Sequence, residues 1–378
     1  MRVSFVTNFI PPYRKTFYEK LCSDSGHQWQ VLRGRVDKET GRPDYRGAIR
    51  APTVEVENVE RAVGPYTMRY QAGAWRAVRQ FRPDVLILLG MVGNLSNWLL
   101  LFWARATGRR VIVWACGWEP QRPGSLALWI KQRVLRAFFS LTDLSLLYST
   151  KGRDYIAACG VDPRRLRVCF NGIEIDELLR DEARVLAEAH ALRRSLVGEG
   201  DFVFLYVGGL LEEKRVDLLI DSFASLRSAD SRLCLWIVGD GPANATLKER
   251  VATRGLEGVQ FFGRIIDGVD AYFAAADVFV LPGLGGLAFN QAMFWRTPCI
   301  GSEADGTEDD LVIHGQTGFR FVKGELGSLQ AAMQQARDTS PDDMRQIGAS
   351  ARQVIVDRSN VDSMVRVFHE ELVRLARD

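Results

Sequence analysis

The sequence predicts an α/β protein of two domains, and three observations carry that reading. Wholly apolar runs such as Val85–Leu89 and Val278–Leu281 stop at glycine or proline, as strands buried on both faces of a parallel sheet do. From Asp277 to Ser302 one such strand passes through the turn Gly283-Leu284-Gly285-Gly286 into a helix over Leu287–Trp295. Thr297-Pro298 ends that helix, and Cys299-Ile300-Gly301 begins another strand. A length of 378 residues suits two domains better than one.

Composition narrows the class. The chain is 47% hydrophobic and 25% charged, the balance of an ordinary globular enzyme. Its longest apolar run, Trp98–Ala104, is too short to span a bilayer. Met1–Val6 reads as a strand rather than a leader. The expectation is a cytoplasmic protein, soluble or peripheral on the inner face of a membrane. Six cysteines (Cys22, Cys116, Cys159, Cys169, Cys234, Cys299) form no C-x-x-C pair and suit reduced thiols. The histidines His27, His190, His314 and His369 are scattered, and no metal cluster is expected. Net charge is uneven: residues 1–180 hold 28 basic and 16 acidic side chains, +12, against 21 and 30, −9, in residues 181–378. A basic first half suits anionic lipid, a phosphorylated acceptor or nucleic acid, and the absence of a nucleic-acid-binding motif sets the last aside.

Along the first half, Arg2–Asn8 is a strand, Phe9–Arg14 a loop and Lys15–Cys22 a helix. Tyr13 and Arg14 are either ligand contacts or a solvated surface turn. Trp29–Arg33 and Thr53–Val56 read as strands joined by an ordered polar loop. Tyr66–Phe81 reads as one helix bearing Arg69, Arg76 and Arg79, and Arg82-Pro83-Asp84 leads from it into the Val85–Leu89 strand. The loop Gly90–Asn94 falls at that strand's carboxyl end, where α/β folds place ligands, so Asn94 is a candidate contact. A helix over Asn97–Thr107 and a strand over Val111–Ala115 lead to Cys116-Gly117-Trp118-Glu119. Glu119, the one carboxylate of that loop, is a candidate catalytic base. Ser125–Ser140 is amphipathic, with Trp129, Val134, Leu135 and Phe138 among Lys131, Arg133 and Arg136. It either faces the core with a solvated basic side or rests on anionic lipid. A strand over Asp143–Ser149 and a helix over Lys151–Cys159 follow, and Arg167–Phe170 then leads to Asn171-Gly172-Ile173.

Leu178–Val197 is a linking helix, and Phe202–Val207 opens the second domain. Gly208-Gly209 and then Lys214-Arg215 follow that strand. The strand Arg232–Val238 ends in the turn Gly239-Asp240-Gly241-Pro242, with a helix over Ala243–Arg254 behind it. Val259–Ile265 carries Phe262 and Arg264, the latter either stacked on a base or solvated. A short helix, Val269–Ala276, precedes the glycine turn, whose helix start presents backbone N–H groups to an anion. The acidic run Glu303–Val312 has no D-x-D pattern and reads as a polar loop. His314–Phe319 is a turn before the last strand, and helices over Ser328–Arg337, Pro341–Val356 and Val361–Arg377 close the chain.

These segments, in this order, resemble the retaining glycosyltransferases of family 4 (group 1), which have the GT-B fold. The stretch Phe202–Phe223 is similar to the family's Y-V-G-R-L-x-x-x-K-G-x-D-x-L-[IL]-x-A-F, and Gly239–Pro242 matches its G-D-G-P turn. Val259–Ile265 is similar to V-x-F-x-G-x-[VI], and Gln291-Ala292-Met293 stands where the family has Glu-Ala-Met. The resemblance implies two Rossmann-like domains facing across a cleft, with the last helix crossing back to the first. It makes residues 1–185 with 358–378 the acceptor-binding domain and residues 186–357 the donor-binding domain. It implies that Lys214 binds the donor diphosphate, surrounded by Gly208, Gly209, Arg215, Gly239, Asp240, Gly241, Phe262, Arg264, Gly285, Gly286, Leu287 and Gln291. It places Tyr13, Arg14, Asn94, Cys116, Trp118 and Glu119 on the acceptor side. The implied chemistry is metal-independent hexosyl transfer at the front face. A leaving diphosphate oxygen helps deprotonate the acceptor hydroxyl while Lys214 and the Gly285-Gly286 helix start hold the diphosphate. The nucleotide-diphosphate sugar is a substrate, and no cofactor is expected.

Several positions depart from the family pattern, and Arg215 stands where it has the glycine after the lysine. Gly209 replaces an arginine, Cys116 a histidine, and Gly283 and Gln291 the two glutamates of its E-x7-E pair. They leave room for a catalytically degenerate sugar-nucleotide-binding protein. A nonhydrolysing epimerase on the same fold should show paired carboxylates and histidines, which are missing here. Basic and aromatic residues of the first half favour a lipid-linked saccharide acceptor in cell-envelope or exopolysaccharide assembly. A soluble natural-product acceptor is the alternative.

Overall fold

The computed structural model describes residues 1–23, 26–35, 45, 47–63, 66–118 and 126–377. It divides into one unit of Met1–Glu174 with Val361–Asp378 and a second unit of Ile175–Asn360. The polar segment expected as an ordered loop between the second and third strands falls largely outside the described residues.

The first unit is built on a sheet of strands β1 (Arg2–Thr7), β2 (Gln28–Arg35), β3 (Thr53–Val63), β4 (Tyr66–Ala72), β5 (Val85–Leu89), β6 (Arg110–Ala115), β7 (Leu144–Leu147) and β8 (Leu166–Val168). Their order is β4-β3-β2-β1-β5-β6-β7-β8. Every neighbouring pair is parallel except β3 and β4, which form an antiparallel hairpin with Glu60 opposite Arg69. The middle strands β1 and β5–β7 are buried almost throughout, which is why β5 reads as an unbroken apolar run and the others as mostly apolar ones, with Ser4, Thr7 and Ser145 as buried exceptions.

The hairpin corrects one expectation. Tyr66–Phe81 is not one helix but the strand Tyr66–Ala72, then Gly73 at φ +88°, then a helix over Ala74–Phe81. The segment Thr67–Gln71 alternates, and its inward residues are polar: Arg69 and Gln71 are buried. Arg69 pairs with Glu60, and Gln71 donates to the Thr7 carbonyl at 3.0 Å. Because these inward residues are polar, the period of two carried no apolar signal.

The last helix, Val361–Arg377, belongs to the first unit. Phe368 is fully buried and packs edge-on to Trp114 (5.6 Å between centroids) and Phe17 (5.5 Å). Truncating it leaves a cavity in an aromatic cluster that cannot close. Phe368→Ala is expected to cost about 3–5 kcal/mol of first-unit stability, read from urea unfolding followed by tryptophan fluorescence.

The second unit carries β9 (Phe202–Val207), β10 (Leu233–Val238), β11 (Val259–Gly263), β12 (Val278–Leu281), β13 (Cys299–Gly301) and β14 (Gly318–Arg320). Their order is β11-β10-β9-β12-β13-β14, all parallel. This unit starts at Ile175 rather than at residue 186, since the Glu182–Leu196 helix is tied to it at both ends. Glu182 accepts from both terminal nitrogens of Arg352 (2.8 and 2.7 Å), and Arg193 reaches Asp277 at 3.0 Å. The expected Leu178–Val197 helix is interrupted at Asp181. Glu303–Val312 is not merely a polar loop: Glu308 begins a helical turn and is fully buried. Its carboxylate accepts from the backbone N–H groups of Ala304 (2.5 Å) and Gly306 (3.0 Å), while burial raises its pKa. Among the described residues no helix is long and apolar enough to cross a membrane.

Candidate active site

At the carboxyl edge of the second sheet the backbone is tied across three strand ends. Gly208 N–H donates to the Val238 carbonyl (3.0 Å), Leu210 N–H to Asp240 (3.0 Å) and Gly239 N–H to Gly263 (2.8 Å). That approach explains the glycines. A Cβ on Gly239 would lie 1.8 Å from the Gly208 oxygen, and one on Gly241 would lie 2.5 Å from the Leu210 oxygen. The Asp240 carboxylate accepts from Gly241 N–H and Asn244 Nδ2, both at 2.8 Å, and these bonds hold its pKa below the usual aspartate range.

Lys214 joins this edge to the glycine turn. Its Nζ donates to the carbonyls of Leu284 (2.7 Å) and Gly285 (3.1 Å), and Leu284 N–H returns to the Glu213 carbonyl at 3.0 Å. Gly283 lies so close that a Cβ there would stand 2.2 Å from the Glu213 oxygen. The turn leaves space at Gly286, and the Ala288–Phe294 helix starts just beyond, after Leu287, with its first N–H groups lacking intrahelical partners. Burial lowers the Lys214 pKa, against the opposing pull of Glu213 and Asp305. A desolvated ammonium beside open backbone donors is arranged for an anion.

The other expected donor-side residues have varied settings. Gly209 gives its carbonyl to the Tyr206 hydroxyl at 2.8 Å. Arg215 adopts a left-handed backbone (φ +54°) and pairs with Asp217 at 3.1 Å, so its guanidinium is engaged within its own turn. The Phe262 ring packs on Tyr272 (4.9 Å) and Trp236 (5.8 Å), and Arg264 is exposed. Gln291 donates through Nε2 to Asp270 Oδ1 at 2.9 Å.

The first unit has a cavity of about 680 Å³ at the carboxyl ends of β5 and β6, walled by the helices Leu95–Ala106 and Leu126–Ser140. Its lining includes Gly90, Met91, Trp98, Cys116, Trp118 and Lys131. Cys116 Sγ donates to the Trp118 carbonyl at 3.2 Å, and the Lys151 ammonium sits 4.1 Å from the Trp118 ring centre. Two expected contacts are corrected here. Arg14 is buried, donating to Asn171 and to the Gly172 carbonyl (3.3 Å) and lying over Trp114, so it is a structural tie. Asn94 is buried too: it caps the Leu95–Ala106 helix through Ser96 N–H (3.1 Å) and donates to Gln71 (3.2 Å). Tyr13 beside them is exposed. Glu119 lies outside the described residues.

Residues 190–354 match the family described as glycosyl transferases group 1, and residues 18–172 match the glycosyl transferase 4-like domain. Together the two matches take in most of the chain. The chain belongs to the group 1, family 4 type GT-B glycosyltransferases. Solved structures agree on the fold. HepE from Anabaena, in complex with UDP, superposes with a TM-score of 0.74 at 17% identity, over 99% of this chain and 100% of that one. Sucrose-phosphate synthase from Thermosynechococcus elongatus gives 0.75 at 17% identity, over 100% and 99%. The lipopolysaccharide outer core galactosyltransferase WaaB gives 0.70 at 16% identity, over 99% of each chain. No curated protein matches the chain in sequence.

In this glycosyltransferase, then, the segments around Gly208, Gly239 and Lys214, expected on the donor side, converge on one sheet edge, while Cys116 and Trp118 share a cavity in the other unit. Two residues that the sequence did not single out stand beside expected ones: Asp270, which opens a short helix without a motif and accepts from Gln291, and Trp98, set in an apolar helical run and lining the cavity. Among the described residues no group of three or more His, Cys, Asp or Glu side chains is placed to hold a metal ion.

Proposed function

We propose that this protein transfers a hexosyl group, with retention and without metal, from a nucleotide-diphosphate sugar to a hydroxyl of a lipid-linked saccharide. The pathway proposed is cell-envelope or exopolysaccharide assembly at the inner face of the cytoplasmic membrane. The observation that carries the donor half is the Lys214 ammonium, desolvated and held on the Leu284 and Gly285 carbonyls beside the helix start. There it neutralises the charge that grows on the leaving diphosphate. A diphosphate oxygen takes the acceptor proton as the new glycosidic bond forms on the face that the diphosphate leaves. The donor class is supported by HepE, solved with UDP and with UDP-glucose.

The acceptor half rests on the first unit. Its cavity is lined mostly by apolar and aromatic side chains, with Thr67, Lys131, Tyr148 and Tyr155 as the polar exceptions, a poorer match to a free oligosaccharide than to an apolar chain. The same two helices expose Leu95, Leu99 and Phe102 on one and Leu126, Trp129 and Ile130 on the other. Arg133 lies over Trp129 at 4.8 Å, placing charge beside the apolar surface. This suits a lipid carrier and an anionic bilayer. The test presents UDP-, GDP- and dTDP-hexoses with a polyprenyl-diphosphate saccharide and follows nucleoside diphosphate release and the anomer formed. A retained anomer made only on the lipid-linked acceptor is expected. Nucleotide binding with no release by any donor would put the catalytically degenerate reading, favoured by Gly283, Gln291, Gly209 and Cys116, in its place.

The lowered Lys214 pKa gives a pH signature. Its ammonium loses its proton at lower pH than a free lysine, so affinity for the diphosphate falls as pH rises through that lowered value. Calorimetric titration of UDP and GDP from about pH 7 to 10 is expected to show this alkaline loss. Lys214→Arg, which stays charged across that range, is expected to remove it.

A further inference from the structure

Asp270 opens the Val269–Ala275 helix after β11, and Gln291 lies in the first turn of the Ala288–Phe294 helix after β12. Both helices therefore begin at the carboxyl edge of the sheet, where the Lys214 clasp also sits. Asp270 Oδ1 accepts from Gln291 Nε2 at 2.9 Å and from Trp295 Nε1 at 2.6 Å. We propose that Asp270 is a positioning residue that fixes the Gln291 amide so that its Oε1 accepts a ribose hydroxyl of the donor nucleotide. This rests on the donor reading given above.

The chemistry of the two groups forces the orientation. A carboxylate only accepts hydrogen bonds, so the amide must turn its nitrogen to Asp270 and its oxygen away. Among the described residues no donor reaches Gln291 Oε1 or Asp270 Oδ2. The pair thus offers two acceptor oxygens and one negative charge, held by the indole of Trp295. That set repels phosphate and selects hydroxyl donors, and a ribose carries two adjacent ones. It also accounts for the amide at position 291. A carboxylate there would stand within hydrogen-bond distance of Asp270, where two like charges disfavour each other.

The experiment titrates UDP, GDP and their 2′-deoxy counterparts into the wild-type protein, Asp270→Asn, Gln291→Glu and the double variant. The wild type is expected to prefer a ribonucleotide to its deoxy form by about tenfold. Gln291→Glu weakens binding by about tenfold through repulsion, and Asp270→Asn frees the amide to flip, flattening the ribose preference. The double variant restores a donor opposite an acceptor and is expected to recover to within about threefold of wild type. A merely structural pair would not tie the ribose preference to this reciprocal exchange. If the double variant loses at least the sum of the single losses, the proposal is overturned. Variants that bind like wild type, while Lys214→Ala does not bind, overturn the pair and leave the donor reading standing. A wild type that binds neither nucleotide overturns the donor reading and the pair with it.

Discussion

Lys214→Ala is expected to lower kcat for sugar transfer by about 10²–10³-fold, the loss typical of removing one preorganised donor from a developing oxyanion. The side chain is half-buried and is aimed by its hydrogen bonds to two backbone carbonyls, so in the proposed reaction its charge would meet the diphosphate without reorganisation. Burial makes the charge count for more than it does in water. The measurement is nucleoside diphosphate release under saturating donor and acceptor, compared with Lys214→Arg. The arginine variant keeps the charge but presents it in a wider planar fork, and an intermediate rate is expected. An alanine variant within threefold of wild type would remove Lys214 from the mechanism.

Gly283→Glu, which restores the family's first glutamate in register, is expected to abolish transfer rather than enhance it. A Cβ at this position meets the Glu213 oxygen at 2.2 Å and the Lys214 Cα at 2.6 Å. The turn must then lift off, taking the Leu284 and Gly285 carbonyls away from Lys214. Overpacking of this kind costs about 3 kcal/mol, and unfolding of the second unit reports it. Nucleotide affinity should fall together with stability. A stable variant with raised activity would show that the shortened loop merely lacks a side chain it could hold.

The sequence located the strands of both sheets where they are wholly apolar, because burial on two faces leaves an unbroken run. Val85–Leu89, Phe202–Val207 and Val278–Leu281 are observed with the expected bounds. It misread Tyr66–Phe81 because that strand turns Arg69 and Gln71 inward, and their partners Glu60 and Thr7 are known only once the sheet is assembled. The same limit governed the site. The place of Lys214 and the G-D-G-P turn at the carboxyl edge of the second sheet was legible, since their spacing follows from local backbone geometry. The commitment of Arg14 to Asn171 and Gly172 was not, since those residues lie far away in the chain. Gln291 read as a weakened glutamate, and its meaning changes with Asp270 beside it.

The central claim is that the second unit binds a nucleoside diphosphate through Lys214. The most direct measurement is the melting temperature of the protein with UDP, GDP, dTDP and CMP, in wild type and in Lys214→Ala. A ligand at about 100 times its dissociation constant stabilises the native state by about 2.7 kcal/mol, enough for a clear upward shift. The expected result is a shift of the wild type with one nucleoside diphosphate, none with CMP, and none in Lys214→Ala. An unshifted wild type with every diphosphate, or an equal shift in Lys214→Ala, would contradict the claim.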